Sequence, residues 1–102
     1  MSEFVKLGSV KGHLAKPGGN GPRPALIVIQ EWWGLDAQTR SIADRFASIG
    51  YLTFAPDLYH GELAPLGDRE TASKLVQKYA PSAPEDLKSL FVKSHKVILP
   101  EP

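Results

Sequence analysis

The 102-residue chain contains no cysteine. This excludes disulfides, thiolate metal sites and a cysteine nucleophile among these residues, and it suits the cytoplasm, the compartment expected here. No lysine or arginine neighbours another, and the formal net charge is only +1. Surfaces for nucleic acid or acidic membranes normally show a basic cluster, so neither partner is expected. The longest uninterrupted apolar run, Ala25 to Ile29, is far too short to cross a bilayer. Met1-Ser2-Glu3-Phe4 offers no basic stretch leading into an apolar one, so no signal peptide is expected. Internal repeats and low-complexity tracts are also lacking. Lys16 to Gly21 is glycine-rich but has no G-x-x-x-x-G-K pattern, which argues against a phosphate loop. No cofactor and no metal site are expected.

What remains is an ordinary globular composition, with 42% hydrophobic and 23% charged residues. A chain of this length forms one domain, residues 1–102, burying about two-thirds of the surface its unfolded form exposes. Phe4 to Leu7 and Val10 to Ala15 read as a hairpin around Gly8-Ser9. Lys16 to Pro24 reads as a loop. Ala25 to Ile29 shows no alternation, the pattern of a strand covered on both faces. Asp36 is a candidate N-cap, followed by Ile42, Ala43, Phe46 and Ile49 at helical spacing, with Gly50 where a C-cap glycine belongs. Arg40 and Asp44 fall on the expected solvent side.

Tyr51 to Ala55 is a further buried strand ended by Pro56. Asp68 caps a second expected helix, with Ala72, Leu75, Val76 and Tyr79 as its apolar stripe and Pro81 as its stop. Ser82 and Glu85 have capping-box spacing for a third, with Pro84 tolerated in its first turn and Leu87, Leu90 and Phe91 facing the core. His95 to Leu99 reads as a last strand. The order β-β-β-α-β-α-α-β predicts an α/β fold with a mostly parallel sheet, an N-terminal hairpin and about three helices.

The most informative stretch is Ile27-Val28-Ile29-Gln30-Glu31-Trp32-Trp33-Gly34-Leu35. An apolar run ending in a carboxylate, two indoles and a glycine looks like a strand that delivers chemistry at its C-terminal end. Glu31 is expected to be partly desolvated there, against the alternative of a solvated loop carboxylate or an ion pair. Trp32 and Trp33 read most simply as packing. Asp57 reads as capping the turn after Pro56, and Tyr59 as a pocket wall. His60 reads as an exposed loop histidine, with a general base as its alternative. His13 and His95 show no ligand spacing with carboxylates.

Four segments resemble the dienelactone hydrolase family of α/β-hydrolases: Pro24 to Leu35 (P-A-L-I-V-I-Q-E-W-W-G-L), Arg40 to Gly50, Tyr51 to Gly61 (Y-L-T-F-A-P-D-L-Y-H-G) and Arg69 to Leu75 (R-E-T-A-S-K-L). The resemblance implies the N-terminal half of a three-layer α/β-hydrolase-like fold and hydrolysis of a cyclic or small ester. It implies that Glu31 tunes the nucleophile, that the Trp32 backbone N–H is one of two oxyanion donors, and that Arg69 binds a substrate carboxylate, with Tyr59 and Trp33 beside the substrate. The alternative for Arg69 is an exposed first-turn arginine. Where the family helix carries a tyrosine four residues on, this chain has Ser73, which puts part of that pocket in doubt.

No Gly-x-Ser-x-Gly or Gly-x-Cys-x-Gly elbow occurs, and the family's nucleophile, acid and histidine have no counterpart here. A truncated domain without catalytic competence of its own is therefore expected. The alternative is a non-catalytic module that forms homo-oligomers through an exposed sheet edge. A reading frame interrupted before the rest of the enzyme would produce the same chain.

Overall fold

Val10 to Ala15 sends successive side chains to opposite faces of a sheet, and both faces are covered. The computed structural model describes residues 2–19 and 21–88. Strands β1 (Ser2–Leu7) and β2 (Val10–Ala15) form the expected hairpin, pairing antiparallel from Ser2↔Ala15 to Leu7↔Val10. Next come β3 (Ala25–Ile27), α1 (Ala37–Ser48), β4 (Leu52–Pro56) and α2 (Arg69–Tyr79). A short helix, α3, covers residues 83–88. The sheet order is β1-β2-β4-β3.

One face of the sheet carries Ala15 and Ala55 and packs on Ala43 and Ala47 of α1 and on Leu35. The other face carries Val10 and Phe54, with Leu58 and the partly buried Leu87 of α3 over them. Helices therefore cover both faces, as a three-layer α/β fold requires. Gly12 makes this second face possible. A Cβ there would lie 2.4 Å from the Ala55 carbonyl oxygen and 2.6 Å from the Phe54 ring, so only glycine lets β2 pass Phe54 at this distance.

The local start signals are those the sequence carries. Asp36 accepts the Thr39 N–H at 3.0 Å and Asp68 accepts the Thr71 N–H at 3.1 Å, the side-chain caps of α1 and α2. Gly50 takes a positive φ of 109° just past α1.

Four expectations change. The α/β class holds, but among the described residues β2 pairs antiparallel with both β1 and β4, and only β3–β4 is parallel. The hairpin contributes the largest single share of the pairing within this part of the sheet. The strand expected over Ala25 to Ile29 ends at Ile27, although the Val28 N–H still reaches the Phe54 carbonyl at 3.0 Å. Its residues are half-buried rather than covered on both faces, because β3 lies at the edge of the described sheet. Finally, α1 turns Thr39, Ala43 and Ala47 inward, leaving Ile49 69% exposed and Phe46 edge-on to Tyr51 at 6.1 Å. Alanines allow the helix to approach the sheet closely, so the bulkier residues lie at its margin.

Leu90, Phe91 and the strand expected at His95 to Leu99 lie outside the described residues. Among the described residues no helix is long and apolar enough to cross a membrane.

Candidate active site

Parallel strands end their hydrogen bonding together, and the loops that leave their C-terminal ends meet above the sheet. Here the loops after β3 and β4 meet. A cleft of about 270 Å³ opens between them, lined by Gln30, Glu31 and Trp32 from the first loop and Leu58 and Tyr59 from the second. Val76, Tyr79 and Ala80 from the end of α2 complete it, with Ala83 of α3.

The first loop is a tight turn. The Gly34 N–H donates to the Glu31 carbonyl at 3.0 Å, with Gly34 at φ 108°. A Cβ on Gly34 would come within 2.9 Å of the Glu62 carbonyl oxygen, so the motif glycine is also where the two loops touch. The Tyr59 hydroxyl donates to the Trp32 carbonyl at 2.9 Å, and the Ala64 N–H to the Trp33 carbonyl at 2.8 Å. Gln30 bridges the loops: the Leu58 N–H donates to its Oε1 at 2.9 Å, while its amide nitrogen lies a long 3.4 Å from the Glu31 carbonyl.

The second loop is knotted around Asp57. This buried carboxylate accepts the Tyr59 N–H at 3.3 Å and the Gly61 N–H at 2.7 Å, which is the turn-capping role expected of it. Burial nevertheless raises its pKa, outweighing the two backbone N–H donors and the neighbouring His60. Burial also raises the Tyr59 phenol, whose hydroxyl is the donor to Trp32. The Tyr59 and Tyr79 rings stack with centroids 5.7 Å apart. Lys78 and the Tyr79 hydroxyl both donate to Glu62, holding that carboxyl below its ordinary value.

The structure brings Glu31, Trp32 and Tyr59 to one cleft. Trp33 does not line the cleft: it packs against the cluster of Tyr59, Ala64, Ala72 and Leu75, with its ring centroid 5.2 Å from that of Trp32, in keeping with its packing reading. Arg69 is the exposed first residue of α2, at the opposite end of that helix from the cleft residues Tyr79 and Ala80. Ten residues at 1.5 Å each put it about 15 Å along the axis from Tyr79. Glu31 is exposed rather than partly desolvated, because the turn lifts it beyond the end of the sheet.

Several groups escaped the sequence. Gln30 and Tyr79 line the cleft; E-W-W-G-L drew attention past the first, and helical periodicity explained the second as core. His60 is the exposed loop histidine expected, but it also has a partner: its Nε2 lies 2.8 Å from Asp86 Oδ2, and Ser9 Oγ donates to the other oxygen of that carboxylate at 3.1 Å. His13 is buried and its Nε2 sits 2.7 Å from Asp44, so Asp44, on the solvent side as expected, also reaches a buried group. Among the described residues no group of acidic or histidine side chains could hold a metal ion.

Comparison with known proteins agrees with this geometry. The model of the dienelactone hydrolase family matches residues 10–98. Protein usf of Aquifex pyrophilus is 45% identical over 80 residues, which is 74% of this chain and 33% of that protein. An Aquifex aeolicus protein named, by inference, as a carboxymethylenebutenolidase is 36% identical over 95 residues, covering 89% of this chain and 39% of that one. A crystal structure from Klebsiella pneumoniae subsp. pneumoniae, described by inference as a dienelactone hydrolase, superposes with a TM-score of 0.65 at 31% identity over 78% of this chain and 36% of its own. The chain thus spans between 33% and 39% of the length of these relatives.

Proposed function

The chain belongs to the dienelactone hydrolase family, and on that premise we propose that its 31–34 turn and 57–62 loop form the carbonyl-binding wall of a site that hydrolyses small esters or lactones. The observation carrying this reading is the turn at the end of β3, which presents Glu31 and Trp32 to a cleft walled by Tyr59 and Tyr79. The Trp32 N–H donates to no group among the described residues. In acyl transfer, a nucleophile attacks the carbonyl carbon and the carbonyl oxygen takes up the negative charge. A backbone N–H aimed at that oxygen contributes about 3 to 4 kcal/mol to the transition state. Glu31, beside it, is the carboxylate that tunes the nucleophile. Tyr59 forms the wall against which the substrate body lies, and a cytoplasmic setting suits the cysteine-free composition.

These 102 residues contain neither cysteine nor a Gly-x-Ser-x-Gly elbow. We infer that the nucleophile and the second oxyanion donor that follows it come from residues beyond them, as do the acid and the histidine by the family resemblance, and that this stretch alone turns nothing over at a family-level rate. The test is to graft residues 10–88 into a catalytically active family member in place of its matching segment. The graft is expected to hydrolyse a lactone and an aryl ester, while the 102-residue chain stays at background. A folded but inactive graft would sink the reading, and turnover by the chain alone at the host's rate would sink the requirement for outside residues.

A second reading rests on β3, whose outer edge pairs with no strand among the described residues and continues into Ile29, 52% exposed. Such an edge suits pairing with another copy in a non-catalytic oligomer. Sedimentation at micromolar concentration checks this, and a monomer would argue against it.

A further inference from the structure

An oxyanion donor works only if it is aimed before the charge develops, since reorienting it during the reaction would consume the stabilisation it offers. The 31–34 turn is exposed at Glu31 and Trp32, so packing does not aim this one. Its carbonyls do the holding instead. Three consecutive ones are tied: Glu31 O to the Gly34 N–H and the Gln30 amide, Trp32 O to the Tyr59 hydroxyl, and Trp33 O to the Ala64 N–H.

In a trans peptide the C=O and N–H point in opposite directions. Pinning Glu31 O to the inside of the turn therefore turns the Trp32 N–H outward. Pinning Trp32 O fixes the next plane, so the torsions on both sides of the Trp32 Cα are set. We propose that Gln30 and Tyr59 are positioning residues that clamp these two peptide planes to the loop after β4 and so preorganise the Trp32 donor. This rests on the reading of Trp32 given above.

Gln30 suits the task because an amide both accepts and donates. The Leu58 N–H fixes which end is the oxygen, and the nitrogen is then left for Glu31 O. Tyr59 suits it because its ring is buried and stacked on Tyr79 while its backbone N–H is bound by Asp57. The hydroxyl is thus held on a rigid arm. The donor loop is ordered from the neighbouring loop, 27 residues away in sequence at the Tyr59–Trp32 bond.

The test is ¹⁵N relaxation on the full 102-residue chain, reading the Trp32 amide. The unaltered chain is expected to give an order parameter of about 0.85, the rigid-backbone value, and the Gln30→Ala, Tyr59→Phe double variant a value below about 0.6. Each single variant falls between, with α1 amides unmoved. Tyr79→Phe removes a hydroxyl that bonds Glu62 instead, and should leave Trp32 ordered. If Gln30→Ala loses the fold, Gln30→Met keeps the side-chain length without either polar end. A Trp32 amide already disordered in the unaltered chain, or equally ordered in the double variant, overturns the proposal. Because order is read rather than turnover, the two readings fail separately. An active graft with an unmoved Trp32 sinks the clamp alone. A clamp-dependent Trp32 in an inactive graft sinks the enzymatic reading on which the clamp's purpose rests.

Discussion

The loops leaving β3 and β4 start side by side and are built in opposite ways. The first carries the recognisable motif, yet Glu31 and Trp32 on it are exposed. The second carries a plainer sequence, yet Asp57, Leu58 and Tyr59 are all buried. One loop presents groups to a ligand, and the other ties that loop in place. Both stretches belong to segments that resemble the family, but one marks where chemistry is offered and the other supplies the rigidity behind it.

The comparison breaks most readily where the loops touch. Gly34→Ala meets two obstacles: a φ of 108°, which L side chains rarely adopt, and a Cβ 2.9 Å from the Glu62 carbonyl and 2.8 Å from Leu63 Cδ2. Each source of strain costs of order 1–3 kcal/mol, so a loss of about 3 kcal/mol in urea unfolding is expected. A loss under about 1 kcal/mol would mean that the loops separate easily and that their contact is incidental.

Asp57→Ala attacks the second loop alone. It removes the acceptor of two backbone N–H groups, the buried one of Tyr59 and the exposed one of Gly61; an unsatisfied buried donor costs about 1–3 kcal/mol and a lost solvent-accessible hydrogen bond about 1 kcal/mol. A total near 2–4 kcal/mol is expected in the same measurement. If the second loop also orders the first, the Trp32 amide should loosen in this variant although residue 57 never touches it.

How much of this was legible follows from the range of each interaction. Asp36, Asp68, Gly8-Ser9 and Gly50 act on residues a few positions away, so their roles could be read directly. Asp57 was legible for the same reason, since it caps N–H groups two and four residues on. His13–Asp44, Gln30–Leu58 and Ser9–Asp86 join residues 31, 28 and 77 apart. Those pairings depend on α1 lying against β2, on β3 lying beside β4 and on α3 returning over the hairpin, which no spacing rule conveys. Glu31 was placed correctly at the strand end, but its surroundings were misjudged because burial there depends on what stands above the loop.

Arg69 sharpens the comparison from outside both loops. It is exposed and makes no cleft contact, so Arg69→Ala should change stability by no more than about 0.5 kcal/mol. In the active graft, a role in binding a substrate carboxylate would raise KM for a carboxylate-bearing lactone and leave a neutral aryl ester unaffected. Equal effects on both substrates would remove Arg69 from the site.

The smallest effect lies within the second loop, where two carboxylates are shifted in opposite directions. Asp57 is raised by burial, so the folded state holds its proton more tightly than the unfolded chain does. Its contribution is favourable at low pH and fades as pH rises from about 4, the ordinary carboxylate value, through the raised one. Glu62 is lowered by Lys78 and Tyr79, so its contribution is present above the ordinary value and fades as pH falls through the lowered one. Near pH 4 the two slopes oppose and mask each other. Glu62→Gln removes the rising slope, so Tm should increase less with pH than in the unaltered chain. Asp57→Asn removes the falling slope, so Tm should increase more. Thermal unfolding between about pH 3 and 6 reads both. A change of the same sign in the two variants would mean that the loop's buried carboxylate is not the strained one, and that the knot around Asp57 holds it as an ordinary surface acid.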